Sequence, residues 1–165
     1  MTIAEIEEYL APMRGEYADP RSLILPALRY AQGHVGWLPA ESMAAVAEAT
    51  GFSQAYVESV ASFYDRLYLD ETGRYCINVC VTLSCMLRGS DELFGHIADY
   101  LGLDGEGTTA DGMFTLAKVQ CIGACDRAPC LQVDSGMQLG PLEAADATCL
   151  IDDLRAEPAP ARYDR

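Results

Sequence analysis

Two cysteine pairs constrain this chain more than any other feature. Cys80 and Cys85 are separated by four residues, Cys121 and Cys125 by three, and each pair follows a run that alternates like a strand. Loops that leave the ends of neighbouring strands can converge on one point. A [2Fe–2S] rhomb needs four thiolates, two to each iron, and backbone N–H groups for its bridging sulfides. Loops of four and three residues can wrap such a group, and Gly123 lets the second loop fold tightly. Structural zinc also takes cysteine pairs, usually with the tighter C-x2-C spacing. Plant-type ferredoxins place a third cysteine close behind the second, where this chain has Met86, Leu87 and Arg88. Spacing alone therefore leaves three readings open: an iron–sulfur cluster, a zinc site, or no metal.

The remaining cysteines and the composition narrow the setting. Seven cysteines cannot all pair, and the N-terminus lacks the basic and apolar regions of a secretory signal. The expected compartment is the cytoplasm, or an organelle matrix if a presequence was removed, and either is reducing, so the cysteines are packed thiols, ligands or reactive groups. The formal net charge of −14 repels phosphate backbones and anionic lipid. No nucleic-acid partner and no direct membrane insertion are expected, since no run approaches the ~20 apolar residues of a span.

The first part of the chain reads as four short amphipathic helices. Thr2 and Glu5 form a capping-box pattern that opens a helix through about Arg14. Asp19-Pro20 leads to a second, with Ile24, Leu28 and Ala31 on one stripe. Pro26 within it makes that helix either start late or kink. A third runs from about Pro39 to Thr50, with Gly51 as its C′ residue. Ser53 caps a fourth, with Val57, Val60, Ala61 and Tyr64 on its inner face. The segment Val46 to Tyr64 resembles a DNA-binding helix-turn-helix but fails on charge, because its second helix carries Glu58 and no Lys or Arg before Arg66.

The pattern changes after the polar run Asp70–Arg74. Tyr75 to Cys80 alternates as a strand. Ser90 is read as the cap of a helix striped by Leu93, Phe94, Ile97 and Leu101. Met113 to Gln120, Cys130 to Val133 and Met137 to Leu139 read as strands, and Ala147, Leu150, Ile151 and Leu154 mark a last helix. The expected fold class is α+β: a small helical bundle over residues 1–72, a thioredoxin-like α/β domain over 73–156, and a frayed tail over 157–165.

The stretches CVTLSCMLRGSDEL (80–93) and VQCIGACDRAP (119–129) resemble the family of the 24 kDa [2Fe–2S] subunit of respiratory NADH dehydrogenase, the E chain of bacterial complex I. Gly36–Pro39, Val57–Tyr64 and Thr108–Phe114 are similar to further signatures of that family, so the resemblance spans about residues 20 to 155. It implies a thioredoxin-like ferredoxin domain behind a helical bundle. It implies one [2Fe–2S] cluster on Cys80, Cys85, Cys121 and Cys125. It also implies a partner subunit that carries FMN and oxidises NADH, in the peripheral arm of a membrane-associated complex. Similar chains serve NAD-linked hydrogenases and formate dehydrogenases. Where the family often has two tyrosines after the third strand, this chain has Asp134-Ser135-Gly136-Met137-Gln138.

Other residues carry narrower expectations. Without G-x-G-x-x-G after a strand, NADH and flavin are assigned to the partner. Cys76 lies roughly 13 Å along the strand from Cys80, too far to share a compact site. Cys130 is read as core and as the best substitute ligand, Cys149 as a partly buried small residue, and His34 and His96 as surface or loop residues. Arg88 and Arg127, each close behind a cysteine of a pair, are expected to raise the potential of a nearby cluster. Residues 1–72 hold eleven acidic and four basic residues, a net of −7. Their apolar remainder around Trp37, Leu38, Phe63 and Tyr64 is expected to dock the flavin-bearing subunit.

Overall fold

The computed structural model describes residues 1–134 and 136–157. The expected frayed tail beyond residue 157, and Ser135 in the segment that departs from the family pattern, lie outside the described residues. The chain divides into two compact units, Met1–Glu71 and a second that begins at Thr72.

The first unit contains helices α1 (Ile3–Leu10), α2 (Ile24–Val35), α3 (Ala40–Thr50) and α4 (Gln54–Phe63). The Thr2–Glu5 capping box forms, with the Thr2 hydroxyl accepting from the Glu5 N–H and the Glu5 carboxylate accepting from the Thr2 N–H. The α-helix ends earlier than expected, at Leu10, and a 3-10 turn over Ala11–Met13 follows. Pro12 has no N–H to extend the ladder. A second 3-10 turn, Pro20–Leu23, precedes α2. Pro26 therefore falls in the first turn of a late-starting helix, where N–H groups lack intrahelical acceptors anyway.

Ile6, Leu10, Ile24, Leu28, Val46, Val57 and Ala61 fill the core of this unit. Two expected roles change. Tyr64 is not on the inner face of α4; it caps the helix end and is exposed, because α4 stops at Phe63. Leu38, expected at a docking face, is fully buried, and its N–H donates to the Tyr68 carbonyl at 2.8 Å. Trp37 is half-buried, while Phe63 is exposed.

The second unit is a five-stranded sheet with helices. In chain order it contains β1 (Tyr75–Cys80), α5 (Leu83–Leu87), α6 (Ser90–Leu101), β2 (Gly107–Thr108), β3 (Phe114–Val119), β4 (Leu131–Val133), β5 (Met137–Leu139) and α7 (Ala144–Ala156). The spatial order is β2-β3-β1-β4-β5. β1 and β3 are parallel; the other pairs are antiparallel. Tyr75, Ile77 and Val79 of β1 pack with Phe114 and Leu116 of β3 against the apolar stripes of α6 and α7. Ser90 does not cap α6. Gly89 takes that position, and Ser90 begins the helix as a buried residue, because α5 has already turned the chain there.

Two local devices fix the sheet edge. A Cβ on Gly73 would lie 2.7 Å from the Phe114 carbonyl carbon, so only glycine allows this approach to β3. The Thr108–Phe114 run builds the β2–β3 turn. The buried Thr109 hydroxyl accepts from the Phe114 N–H at 3.0 Å, and Asp111 Oδ1 accepts from the Thr109 hydroxyl at 2.5 Å and the Met113 N–H at 2.9 Å.

The Thr109 hydroxyl, then the Met113 N–H, hold the Asp111 carboxyl below its ordinary value of 3.8. A carboxylate with a lower pKa folded than unfolded stabilises fully above the unfolded value. It loses that contribution as the pH falls through the folded one. Asp111→Ala should therefore lower Tm at pH 7, and its gap from the wild-type protein should narrow below pH 3.8. Thermal melts across pH 2 to 7 check this.

Candidate metal centre

The parallel pairing of β1 with β3 brings the two cysteine loops together. Cys80 is the last residue of β1 and stands opposite Val119, the last residue of β3. Both strands thus end on the same side of the sheet, and Cys121 follows two residues beyond Val119. The Val81 N–H donates to the Val119 carbonyl at 3.0 Å, which extends the pairing into the loops. β4 runs antiparallel to β1, so its start lies at the same end. Cys130 precedes that strand, and its carbonyl accepts from the Cys80 N–H at 3.1 Å.

The segment after Cys80, read from sequence as a loop, contains the helix α5. Its run Leu83-Ser84-Cys85-Met86-Leu87 has no Gly or Pro, and Thr82 precedes it in an extended conformation. The Thr82 carbonyl accepts from the N–H groups of Cys85 at 2.9 Å and Met86 at 3.1 Å. This turn points Cys85 inward, fully buried, and leaves Leu83 67%, Met86 47% and Leu87 74% exposed. Those three residues share one helix face by their spacing.

The four cysteines of the expected ligand set lie in two pairs. The sulfurs of Cys80, Cys85 and Cys130 are within 4.8 Å of one another, all three residues buried. Cys121 and Cys125 form an exposed pair with their sulfurs 4.0 Å apart. Two thiolates on one tetrahedral metal with ~2.3 Å metal–sulfur bonds stand ~3.8 Å apart. The exposed pair has roughly the span that one iron requires, and the sulfurs of Cys80 and Cys85 lie within 4.8 Å of each other. A two-iron cluster takes one pair per iron, so this donor set fits it. Among the described residues, Cys121 and Cys125 join no third metal-ligating side chain within the same limit.

Polar hydrogens are aimed at the buried sulfurs. The Thr82 hydroxyl lies 3.3 Å from Cys80 Sγ. Burial pushes the Cys80 thiol up, but hydrogen bonds from the Thr82 hydroxyl and from the Thr82 and Ile122 backbone outweigh it, and the net shift is downward. Burial dominates at Cys85 and raises it, against hydrogen bonds from the Cys130 side chain and backbone. Burial likewise pushes Cys130 up, to about 12. Gly123, at φ 79°, makes the tight turn of the second loop. The Gln138 amide braces that loop by donating to the Ile122 carbonyl at 2.8 Å.

The other singled-out residues fall elsewhere. Cys76 is buried in β1, with its N–H donating to Asp134 Oδ1 at 3.0 Å. Cys149, expected to be partly buried, is exposed on α7. His34 is exposed, with Nδ1 2.9 Å from the Tyr30 carbonyl, and His96 Nε2 lies 3.0 Å from the Thr148 hydroxyl. Arg127 is exposed with its Nε 3.6 Å from Asp126 Oδ2, which offsets the charge expected to act on a cluster. Sequence reasoning missed α5, while Cys130, read as core and as the best substitute ligand, is buried beside the first pair. The helix-forming run after Thr82 was the available signal for α5.

Comparison with known proteins agrees with this architecture. The pattern of the thioredoxin-like [2Fe–2S] ferredoxin family matches residues 10–155, and the chain belongs to that family. It is 38% identical over 151 residues to an E-type NADH-quinone oxidoreductase subunit of Rhizobium meliloti, covering 92% of this chain and 89% of that protein. It is 40% identical over 118 residues to the corresponding NADH-quinone oxidoreductase subunit of Pseudomonas aeruginosa, covering 72% of this chain and 71% of that one. A solved NAD+-reducing [NiFe]-hydrogenase superposes with a TM-score of 0.70 at 25% identity, over 81% of this chain and 23% of the hydrogenase chain. The chain therefore spans about a quarter of that hydrogenase chain. Of the three chemistries that spacing left open, family membership selects the [2Fe–2S] cluster.

Two outcomes test the centre. Cys121→Ala and Cys125→Ala should each lose iron and sulfide, while Cys76→Ala and Cys149→Ala keep both in full; chemical assay of the purified variants decides. With Cys80 bound to iron as a thiolate, which carries no proton, the Thr82 hydroxyl would donate to it. Such a bond favours the more negative, reduced state. Removing ~1 kcal/mol of it corresponds to ~40 mV for one electron. Thr82→Val should lower the midpoint potential by that order in a redox titration.

Proposed function

We propose that this chain is the [2Fe–2S] electron-transfer subunit of an NADH:quinone oxidoreductase. Cys80 and Cys85 hold one iron, and Cys121 and Cys125 the other. The observation that carries this reading is the placement of two close thiol pairs at one end of the sheet, in a chain whose relatives are subunits of that enzyme. The bound cluster supplies one-electron chemistry. The chain's own residues do the rest. Burial of Cys80 and Cys85 keeps water from their side of the site, while Thr82, Ile122 and Cys130 place donors on the sulfurs. The exposed Cys121–Cys125 edge gives an electron a short way in and out.

The partner in this reading is the subunit that carries FMN and oxidises NADH, in the peripheral arm on the cytoplasmic side. Among the described residues, no helix is long and apolar enough to cross a membrane. The exposed face of Leu83, Met86 and Leu87 adjoins Cys85 and supports docking beside the cluster. Phe63, Tyr64 and Leu69 add exposed apolar surface on the helical unit and support a second contact. The likeness to the NAD+-reducing hydrogenase favours one second reading, the equivalent subunit of such a hydrogenase. Its lower identity places it behind the first.

Purification of the tagged full chain from its own cells tests the proposal. A red-brown protein that takes up one electron and co-purifies with a flavin-containing NADH dehydrogenase is expected. Leu87→Glu should keep the colour and lose the flavoprotein. A colourless chain, or one that brings down no flavoprotein, would overturn the reading.

A further inference from the structure

We infer that Cys130 is an alternative iron ligand, packed sulfur to sulfur against Cys85 and able to take that residue's place. The inference rests on the ligand reading given above. Cys130 Sγ lies 3.4 Å from Cys85 Sγ, and both are within 4.8 Å of Cys80 Sγ. All three residues are at most 2% exposed. A fifth sulfur thus shares the pocket of the first pair. It is positioned by backbone, the Cys130 carbonyl accepting from the Cys80 N–H at 3.1 Å.

The chemistry of the pair follows from proton count. Cys85, bound to iron as a thiolate, has no proton to give, so the S–H···S contact runs from Cys130 to Cys85. Exchange then needs no oxidant, reductant or outside base. Cys130 forms its bond to iron, the Cys85–iron bond breaks, and the Cys130 proton passes to the departing Cys85 sulfur across the existing contact. Charge and electron count are unchanged. The exposed pair has no such reserve among the described residues. One half of the site therefore tolerates loss of a ligand and the other does not.

The test uses the full-length holoprotein with Cys85→Ala, Cys130→Ala and the double variant. Iron and sulfide content, electron paramagnetic resonance of the reduced state and circular dichroism are the readouts. Cys85→Ala should keep full iron and sulfide with shifted g-values, and the double variant should hold none. A folded Cys85→Ala chain without cluster, while Cys130→Ala keeps its own, would overturn the exchange and leave the ligand reading intact. A double variant with a full cluster would overturn both. Should Cys85→Ala fail to fold, the midpoint potential decides. Cys130→Ala removes the S–H donor and should lower it, with Cys130→Ser restoring part of the shift. An unchanged midpoint in Cys130→Ala would overturn the proposal.

Discussion

The in-register parallel pairing of β1 with β3 is the interaction on which the site depends. It aligns Cys80 with Val119 and so ends two strands at one edge. β1 ends on Cys80 and is followed by α5 with Cys85, and β3 is followed by the loop that brings Cys121 and Cys125. The antiparallel β4 returns the chain to the same edge and delivers Cys130 there. A one-residue slip between β1 and β3 would turn every side chain of one strand to the other face. It would break the packing of Tyr75, Ile77 and Val79 against α6 and α7, and separate the thiols in the same movement. Apolar packing and ligand placement are thus enforced by one register.

Around this edge the chain mixes two environments. The Cys80–Cys85 side is buried and supplied with hydroxyl, thiol and amide donors, whereas the Cys121–Cys125 side is open. Iron–sulfur potentials respond to hydrogen bonds on the sulfurs and to solvent exposure. The two irons of a bound cluster would feel these influences unequally. The exposed apolar face of α5 lies beside the buried pair, which lets a docked partner change the exposure of the site.

Much of this was legible in the sequence. The alternation of Tyr75–Cys80, the stripe of Leu93, Phe94, Ile97 and Leu101, and the capping box at Thr2 each express a local period or a local hydrogen bond, and such signals need no tertiary information. The cysteine spacing exposed the candidate ligands for the same reason. What failed depended on long-range packing. Leu38 reads as part of an apolar docking surface but is buried, with its N–H held by the distant Tyr68 carbonyl. Ser90 has a cap's chemistry but not its position, since α5 reorients the chain just before it. Cys130 was legible as core and as a substitute ligand, but its contact with Cys85, 45 residues away, was not. Its neighbourhood is set by β4 pairing with β1, which no local pattern reveals.

The central claim is that two thiol pairs hold one binuclear cluster, one pair to each iron. Mössbauer spectroscopy of the iron-57-enriched, one-electron-reduced protein tests it most directly. The account predicts two equal subsites, one ferric and one ferrous, both with isomer shifts of tetrahedral sulfur coordination. A single iron environment, or a subsite with nitrogen or oxygen ligation, would contradict it.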